Sequence, residues 1–149
     1  SEMCIRDSFY VESKTKDRKL AQPLGLRDCA SESCPEDLEG LISGETIPML
    51  IANLEGFKLL FTGGDGVGLG DLITDLGHGD LTESMLANVD QSIAAFESFE
   101  GSLYDAIVAG DPAAGDLFDT LGLLTAEIKW DVSTVLSLTV PEENKADND

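Results

Sequence analysis

The chain has 149 residues, of which 42% are hydrophobic, and 29 acidic residues against nine basic ones give a net charge of -20. That hydrophobic share supports one folded domain with a core rather than a disordered chain. The charge repels phosphate backbones, which argues against a nucleic-acid partner. No apolar run approaches the roughly 20 residues that a membrane span needs.

The first eight residues resemble a translated sequencing-library adapter more than a protein segment, through the run Met3-Cys4-Ile5-Arg6-Asp7-Ser8. Residues of this kind are left out of fold reasoning. We therefore expect the natural chain to begin near Phe9, with its gene cut upstream by assembly. The alternative is an ordinary N-terminus. Under the first interpretation, the lack of a signal peptide says nothing about localisation.

Residues 9–20 resemble the end of a helix, because cations favour a helix C-terminus. The cations are Lys14, Lys16, Arg18 and Lys19. Residues 21–44 are rich in Pro, Gly, Ser and Cys and are typical of a linker.

Within this linker, Cys29 and Cys34 allow three interpretations. A disulfide would stabilise the fold by about 2 kcal/mol and indicate an oxidising compartment. A metal pair lacks the four ligands that zinc usually takes, and the one histidine, His78, is distant. Two free thiols are the third possibility.

From residue 45 onward, apolar residues recur every three or four positions, which predicts amphipathic helices. The first of these is expected to begin near Thr46, with Pro48 in its first turn, and to end at Gly63-Gly64. A short helix is predicted over 71–76 with Asp71 as its cap. The apolar stripe of the first helix is Ile47, Leu50, Ile51, Leu54, Phe57 and Phe61.

Three further helices are predicted. One carries the stripe Leu81, Met85, Val89, Ile93 and Phe96, with Asp80 or Thr82 as its cap. A shorter one covers 102–109 and ends at Gly110. The longest opens at Asp111-Pro112 and runs to about Val140 before Pro141, with Trp130 on a neighbouring face. Its stripe is Leu117, Leu121, Leu124, Ile128, Val132 and Val135.

These helices, with no two-residue alternation anywhere, predict an all-α, up-and-down helical bundle over 45–140. Residues 141–149 are predicted to form a polar tail.

The glycine-rich segment 63–71 lacks the Gly-Lys-Ser/Thr of a phosphate loop, and it offers too few oxygen ligands for calcium. We interpret it as a connection between helices, in which glycine permits positive φ. His78 lies between two glycines and is expected to be exposed rather than catalytic. No pairing of a nucleophile with a base is visible, so we predict no catalytic residue.

Several segments, in order, resemble the C-terminal half of imelysin-like proteins. They are Arg18-Lys19-Leu20, Pro23-Leu24-Gly25-Leu26, the cysteine pair, Asn53-Leu54-Glu55-Gly56-Phe57, the Gly/Asp loop from Phe61 to Leu69, and the Asp/Asn-rich end. Such proteins are envelope-associated, two-domain helical proteins linked to iron uptake and also classed as metallopeptidases. The family signature, Gly-x-His-x-x-Glu, belongs to the N-terminal half and does not occur in this sequence.

The resemblance implies that this chain is the second bundle of a two-domain fold and that 9–20 closes the first helical domain. Its partners would be the missing N-terminal domain and envelope iron-uptake proteins, in the periplasm or cell envelope. It favours the Cys29–Cys34 disulfide. No cofactor is expected in the fragment itself, but iron or another divalent or trivalent cation is expected for the full-length protein.

Glu55 is then a candidate metal ligand facing the missing domain, because carboxylates suit hard cations such as ferric iron. The alternative is a solvated helix glutamate. Asp131, Asp147 and Asp149 are more remote candidates.

Three functions remain open. The parent protein is an iron-binding component, with this bundle forming one side of an interdomain site, or it is a metallopeptidase, or the bundle is a non-catalytic protein-interaction module. We favour binding, because one His-x-x-Glu pair lacks the His-Glu-x-x-His arrangement of zinc peptidases.

Overall fold

The computed structural model describes residues 7–137, and within that range the chain is helical with no strand. The helices are α1 (Val11–Ala21), α2 (Thr46–Thr62), α3 (Leu69–Asp75), α4 (Gly79–Glu97), α5 (Leu103–Ala109) and α6 (Pro112–Ala126). A single turn of 3-10 helix, Pro35–Asp37, interrupts the connection between α1 and α2. The predicted all-α bundle is confirmed.

α2 begins and ends where its sequence predicts. It starts at Thr46 with Pro48 inside its first turn, and it ends at Gly63, whose φ of 76° is left-handed. Glycine reaches this conformation without the steric cost that a β-carbon brings. The predicted stripe is largely buried, through Leu50, Leu54, Phe57 and Phe61.

The starts of α5 and α6 are fixed by side-chain caps. The Ser102 hydroxyl accepts a hydrogen bond from the Asp105 N–H, and the Asp111 carboxylate accepts one from the Ala113 N–H. Each bond satisfies a backbone donor that the first helical turn leaves unpaired. Pro112 occupies the first turn of α6, as predicted.

The starts of α3 and α4 differ from the prediction. α3 begins at Leu69, so Asp71 lies inside its first turn, where its carboxylate accepts from the Gly68 N–H at 2.8 Å. α4 begins at Gly79, and neither Asp80 nor Thr82 caps it. The Thr82 hydroxyl instead donates to the Gly70 carbonyl at 3.0 Å and so ties α4 to α3.

Two stretches of the chain are π-helical, with the wider turn of i→i+5 hydrogen bonds. One is the whole of α1; the other, Glu127–Val132, continues α6 and leads into a last turn, Ser133–Val135. The last helix therefore ends at Val135, before the predicted end near Val140. Residues 1–6 and the predicted polar tail 141–149, including Asp147 and Asp149, lie outside the described residues.

One core joins the described helices. α4 packs against α2, α3 and α6, while α1 packs against α2 and α6. Phe9, Val11 and Leu20 belong to the same buried cluster as the stripes of the later helices. Whether α1 also closes another domain stays a prediction. None of the helices in residues 7–137 combines the length and the apolar character that crossing a bilayer requires.

Candidate functional site

A disulfide joins Cys29 to Cys34, with their Cα atoms 5.9 Å apart. Cys34 is buried, and its N–H donates to the Pro23 carbonyl at 2.9 Å. The disulfide closes a small loop within the connection between α1 and α2, and the hydrogen bond to Pro23 holds that loop against the start of the connection. This agrees with the disulfide that the sequence favoured over a metal pair or free thiols.

The candidate ligands Glu55 and Asp131 lie on different helices, and His78, which was expected to be exposed rather than catalytic, lies on neither of them. Glu55 is exposed on α2, off its buried stripe; His78 is exposed at the residue before α4; and Asp131 is exposed near the end of the last helix. Within residues 7–137, no three side chains of the His, Cys, Asp or Glu type are grouped so that they could hold a metal ion. Glu55 is therefore at most one ligand of a site completed by other residues.

An open apolar recess of about 1100 Å³ lies where α2 ends and α3 begins. Its lining consists of Gly56, Leu59, Leu60, Gly63, Gly64, Asp65, Val67, Gly68, Leu69 and Leu72. Glu55 precedes Leu59 by one turn of α2, and residues four apart lie on the same helix face. Glu55 does not line the recess, and lies one turn before Leu59 on the exposed side of α2.

Some of the largest exposed apolar side chains of the described chain belong to this recess. Val67 is 86% exposed and Leu59 is 63% exposed. Contiguous exposed apolar surface marks sites of interaction with another protein or a ligand. Of the predicted connection 63–71, residues 63–68 join the two helices, whereas 69–71 form the first turn of α3. The recess formed by this connection and the helix ends around it was not predicted from the sequence.

The glycines of this connection hold it close to α2. A β-carbon at Gly68 would lie 2.2 Å from the Phe61 carbonyl oxygen, and one at Gly63 would lie 2.3 Å from the Gly68 nitrogen. Side chains at either position would push the connection away from the helix end. The glycines thus permit the turn of the connection and also hold the connection in the position that forms the recess.

A second feature, which the sequence did not reveal, is a cluster of buried charges between α1 and the last helix. Glu12, Lys16 and Lys129 are each at most 1% exposed, and Asp17 is 5% exposed. The Lys129 Nζ lies 3.5 Å from a carboxylate oxygen of Glu12, and the Lys16 Nζ lies 3.6 Å from one of Asp17. Arg27 also contacts Asp17, at 2.6 Å.

Aromatic rings complete the surroundings of the two buried lysines. The Lys16 Nζ lies 5.6 Å from the centre of the Phe118 ring, and the Lys129 Nζ lies 5.2 Å from that of Trp130. Such rings attract cations through their negative faces. One signal could have revealed Lys129: it follows Thr125 by four residues and so extends the buried face of α6.

The charged cluster is suited to joining helices rather than to chemistry on a ligand. The Lys129–Glu12 pair joins the last helix to α1, whereas the Lys16–Asp17 pair lies within α1 and Asp17 also reaches an open cleft. Comparison with known proteins finds no family model, no curated protein and no solved structure that matches this chain.

Proposed function

We propose that this chain is the second helical bundle of an imelysin-like cell-envelope protein, and that it forms one side of a binding site for a metal ion, iron being the ion we favour. The observation that carries the proposal is that Glu55 is exposed on α2 one turn before Leu59, which lines the exposed apolar recess. The recess would receive the other half of the protein, which would supply the remaining ligands.

The physical argument starts from the exposed apolar surface. Covering the recess would remove its leucine and valine side chains from water, with a gain of about 25 cal/mol per Å² of apolar surface. Water would then be displaced from around the Glu55 carboxylate, and a charge in a drier site interacts more strongly with a cation. A carboxylate oxygen is also the type of ligand that a hard cation prefers.

The proposed envelope localisation draws on the disulfide. Disulfides persist in oxidising compartments such as the bacterial periplasm and are rare where thiols are kept reduced. The Cys29–Cys34 bridge is therefore consistent with an envelope protein, as the sequence resemblance implies. Binding is favoured over peptide hydrolysis because the family motif offers one His-x-x-Glu pair and lacks the His-Glu-x-x-His arrangement by which zinc peptidases hold metal and base on one helix.

The first test is to sequence the source DNA upstream of the Phe9 codon. We expect a signal peptide followed by a helical half that contains Gly-x-His-x-x-Glu. A reading frame that begins near Met3 would overturn the two-domain proposal and leave a small helical interaction module as the better interpretation of the recess.

The second test uses the complete protein from that reading frame. Ferric nitrilotriacetate is titrated into the wild type, into Glu55→Gln, and into Glu97→Gln, which removes the same charge from an exposed position on a different helix, α4. We expect Glu55→Gln to weaken iron binding by about tenfold or more, and Glu97→Gln to leave it unchanged. Equal affinities for all three proteins would exclude Glu55 as a ligand, and cleavage of peptides by the complete protein would favour the peptidase.

A further inference from the structure

The basic residues of this acidic protein are concentrated in one short segment. Five of the nine lysines and arginines fall within residues 14–27, although acidic residues outnumber basic ones by 29 to nine over the chain. The five are Lys14, Lys16, Arg18, Lys19 and Arg27. Lys16 is buried in the core, whereas the others reach the surface around α1.

Two open clefts flank the outer side of α1. The first, of about 330 Å³, is lined by Ser13, Lys14, Asp17, Arg18, Gln22, Arg27 and Asp28. The second, of about 440 Å³, is lined by Tyr10, Lys14, Arg18, Lys19, Asp37 and Glu39. Lys14 and Arg18 line both clefts, so these two side chains form a cationic ridge between them.

The carboxylates of the clefts are already engaged by other donors. Arg27 contacts both Asp17 at 2.6 Å and Asp28 at 3.6 Å. The remaining contacts are Lys19 to Glu39 at 3.0 Å and the Gln22 side-chain amide to Asp37 at 2.9 Å. None of these four carboxylates is held by the ridge.

Lys14 and Arg18 make no ion pair within the described part of the chain. Lys14 is half-buried and Arg18 is exposed, so neither needs a partner in the core. In a protein whose net charge is -20, two neighbouring cations without a carboxylate partner form a local positive surface that can attract an anion.

We infer that the ridge binds a small oxyanion that carries two or more carboxylate or phosphate groups, one in each cleft. The planar guanidinium of Arg18 can donate two parallel hydrogen bonds to such a group, and the Lys14 ammonium adds a second charge. The cleft volumes lie in the range that small molecules occupy. Tyr10, which is 45% exposed, adds an aromatic ring and a hydroxyl to the second cleft.

The size of the anion follows from the charge of the whole protein. A long polyanion would extend beyond the ridge and meet the acidic surface, which repels it. A compact anion stays within the Debye length of about 8 Å at physiological ionic strength, so the ridge dominates its interaction. This site rests on observations independent of the recess and of Glu55.

The test follows the backbone amide signals of residues 10–19 by NMR while citrate, pyrophosphate or acetate is added at constant ionic strength. We expect citrate or pyrophosphate to shift these signals at lower concentration than acetate does. The more effective of the two identifies carboxylate or phosphate as the preferred group. Lys14→Gln and Arg18→Gln are each expected to weaken the binding by about three- to fivefold.

Lys58→Gln is the matched control, because it removes the same charge from α2 at a position outside both clefts. It is expected to leave the affinities unchanged. The proposal is overturned if none of the three anions shifts these signals, if acetate is as effective as citrate and pyrophosphate, or if Lys58→Gln weakens binding as much as the ridge variants do. Folding of each variant is checked by circular dichroism.

Discussion

Lys129 and Glu12 bring opposite charges into the core from the last helix and the first. Removing such groups from water costs several kcal/mol per ion, and their mutual attraction in the interior offsets that cost only when the partners are well placed. The Lys129 Nζ lies 3.5 Å from a Glu12 carboxylate oxygen, which is within the distance of an ion pair but longer than a charge-assisted hydrogen bond. The pair therefore acts chiefly by fixing which residues of α1 and the last helix come into contact, because a shifted packing of the two helices would separate the two buried charges.

The first prediction concerns this pair. Lys129→Met keeps most of the side-chain volume but removes its charge, and so deprives the buried Glu12 carboxylate of that cation. We expect the free energy of unfolding to fall by about 3–5 kcal/mol, as measured by urea denaturation. The double variant Glu12→Gln/Lys129→Met should recover a large part of this loss, because neither charge then remains.

The matched control is Lys58→Met, which breaks the exposed contact between Lys58 and Asp90 on α2 and α4. Exposed pairs contribute about 0–1 kcal/mol. If Lys129→Met were no more destabilising than Lys58→Met, the buried pair would have no special role in stability.

The ends of the helices are set by single residues whose backbone or side chain suits that position. Ser102 and Asp111 accept hydrogen bonds at the starts of α5 and α6, and Gly110 ends α5 with a left-handed φ of 65°. These requirements are local, because each involves residues within a few positions of the helix end. A glycine at a helix end that needs a positive φ is therefore required there, whereas a glycine within a helix is not.

The second prediction compares two glycines. Gly63 ends α2 with positive φ, and an added β-carbon would meet backbone atoms at 2.3 and 2.4 Å. Gly115 lies within α6, where an added β-carbon would meet nothing within 4 Å. In urea denaturation, Gly63→Ala should lower the free energy of unfolding by about 1–3 kcal/mol. Gly115→Ala should raise it by about 0.5–1 kcal/mol.

Opposite signs for the two substitutions are the essential result. A loss of stability in both variants would mean that the open space beside Gly115 is needed for packing. A neutral Gly63→Ala would mean that the α2–α3 connection can move without cost, and the recess would then not be a fixed surface.

At the scale of the whole molecule, the net charge of -20 acts against the compact state, because folding brings the carboxylates closer together. Few of these charges have cations nearby, and five of the nine basic residues are gathered around α1. The acidic surface is therefore largely self-repelling, apart from the region of the ridge.

The third prediction follows from screening. Raising the ionic strength from about 10 mM to about 150 mM shortens the Debye length from about 30 Å to about 8 Å and so weakens the repulsion between exposed carboxylates. We expect the midpoint of thermal unfolding to rise by about 2–5 °C, measured by circular dichroism with sodium chloride. A midpoint that falls with added salt would indicate that exposed ion pairs outweigh the general repulsion.

The sequence by itself determined the helices from Thr46 onward and most of their boundaries. The spacing of apolar residues, the capping residues and the glycines that end helices each act over only a few positions. It also favoured the Cys29–Cys34 bridge, whose partners are five positions apart. Of the candidate site, it identified Glu55 as an exposed residue off the buried stripe but not the recess beside it.

Only the tertiary structure decided which charged residues are buried and which apolar residues are not. In residues 9–20 the sequence shows a basic helical segment, yet Lys16 is enclosed by the core while Lys14 and Arg18 face outward. The physical reason is that burial of a charge depends on the groups that the fold places around it, such as the Phe118 ring of α6 near Lys16 and the Lys129 ammonium near Glu12. The exposure of the recess likewise depends on the direction in which α3 runs from the end of α2, which no local sequence pattern predicts.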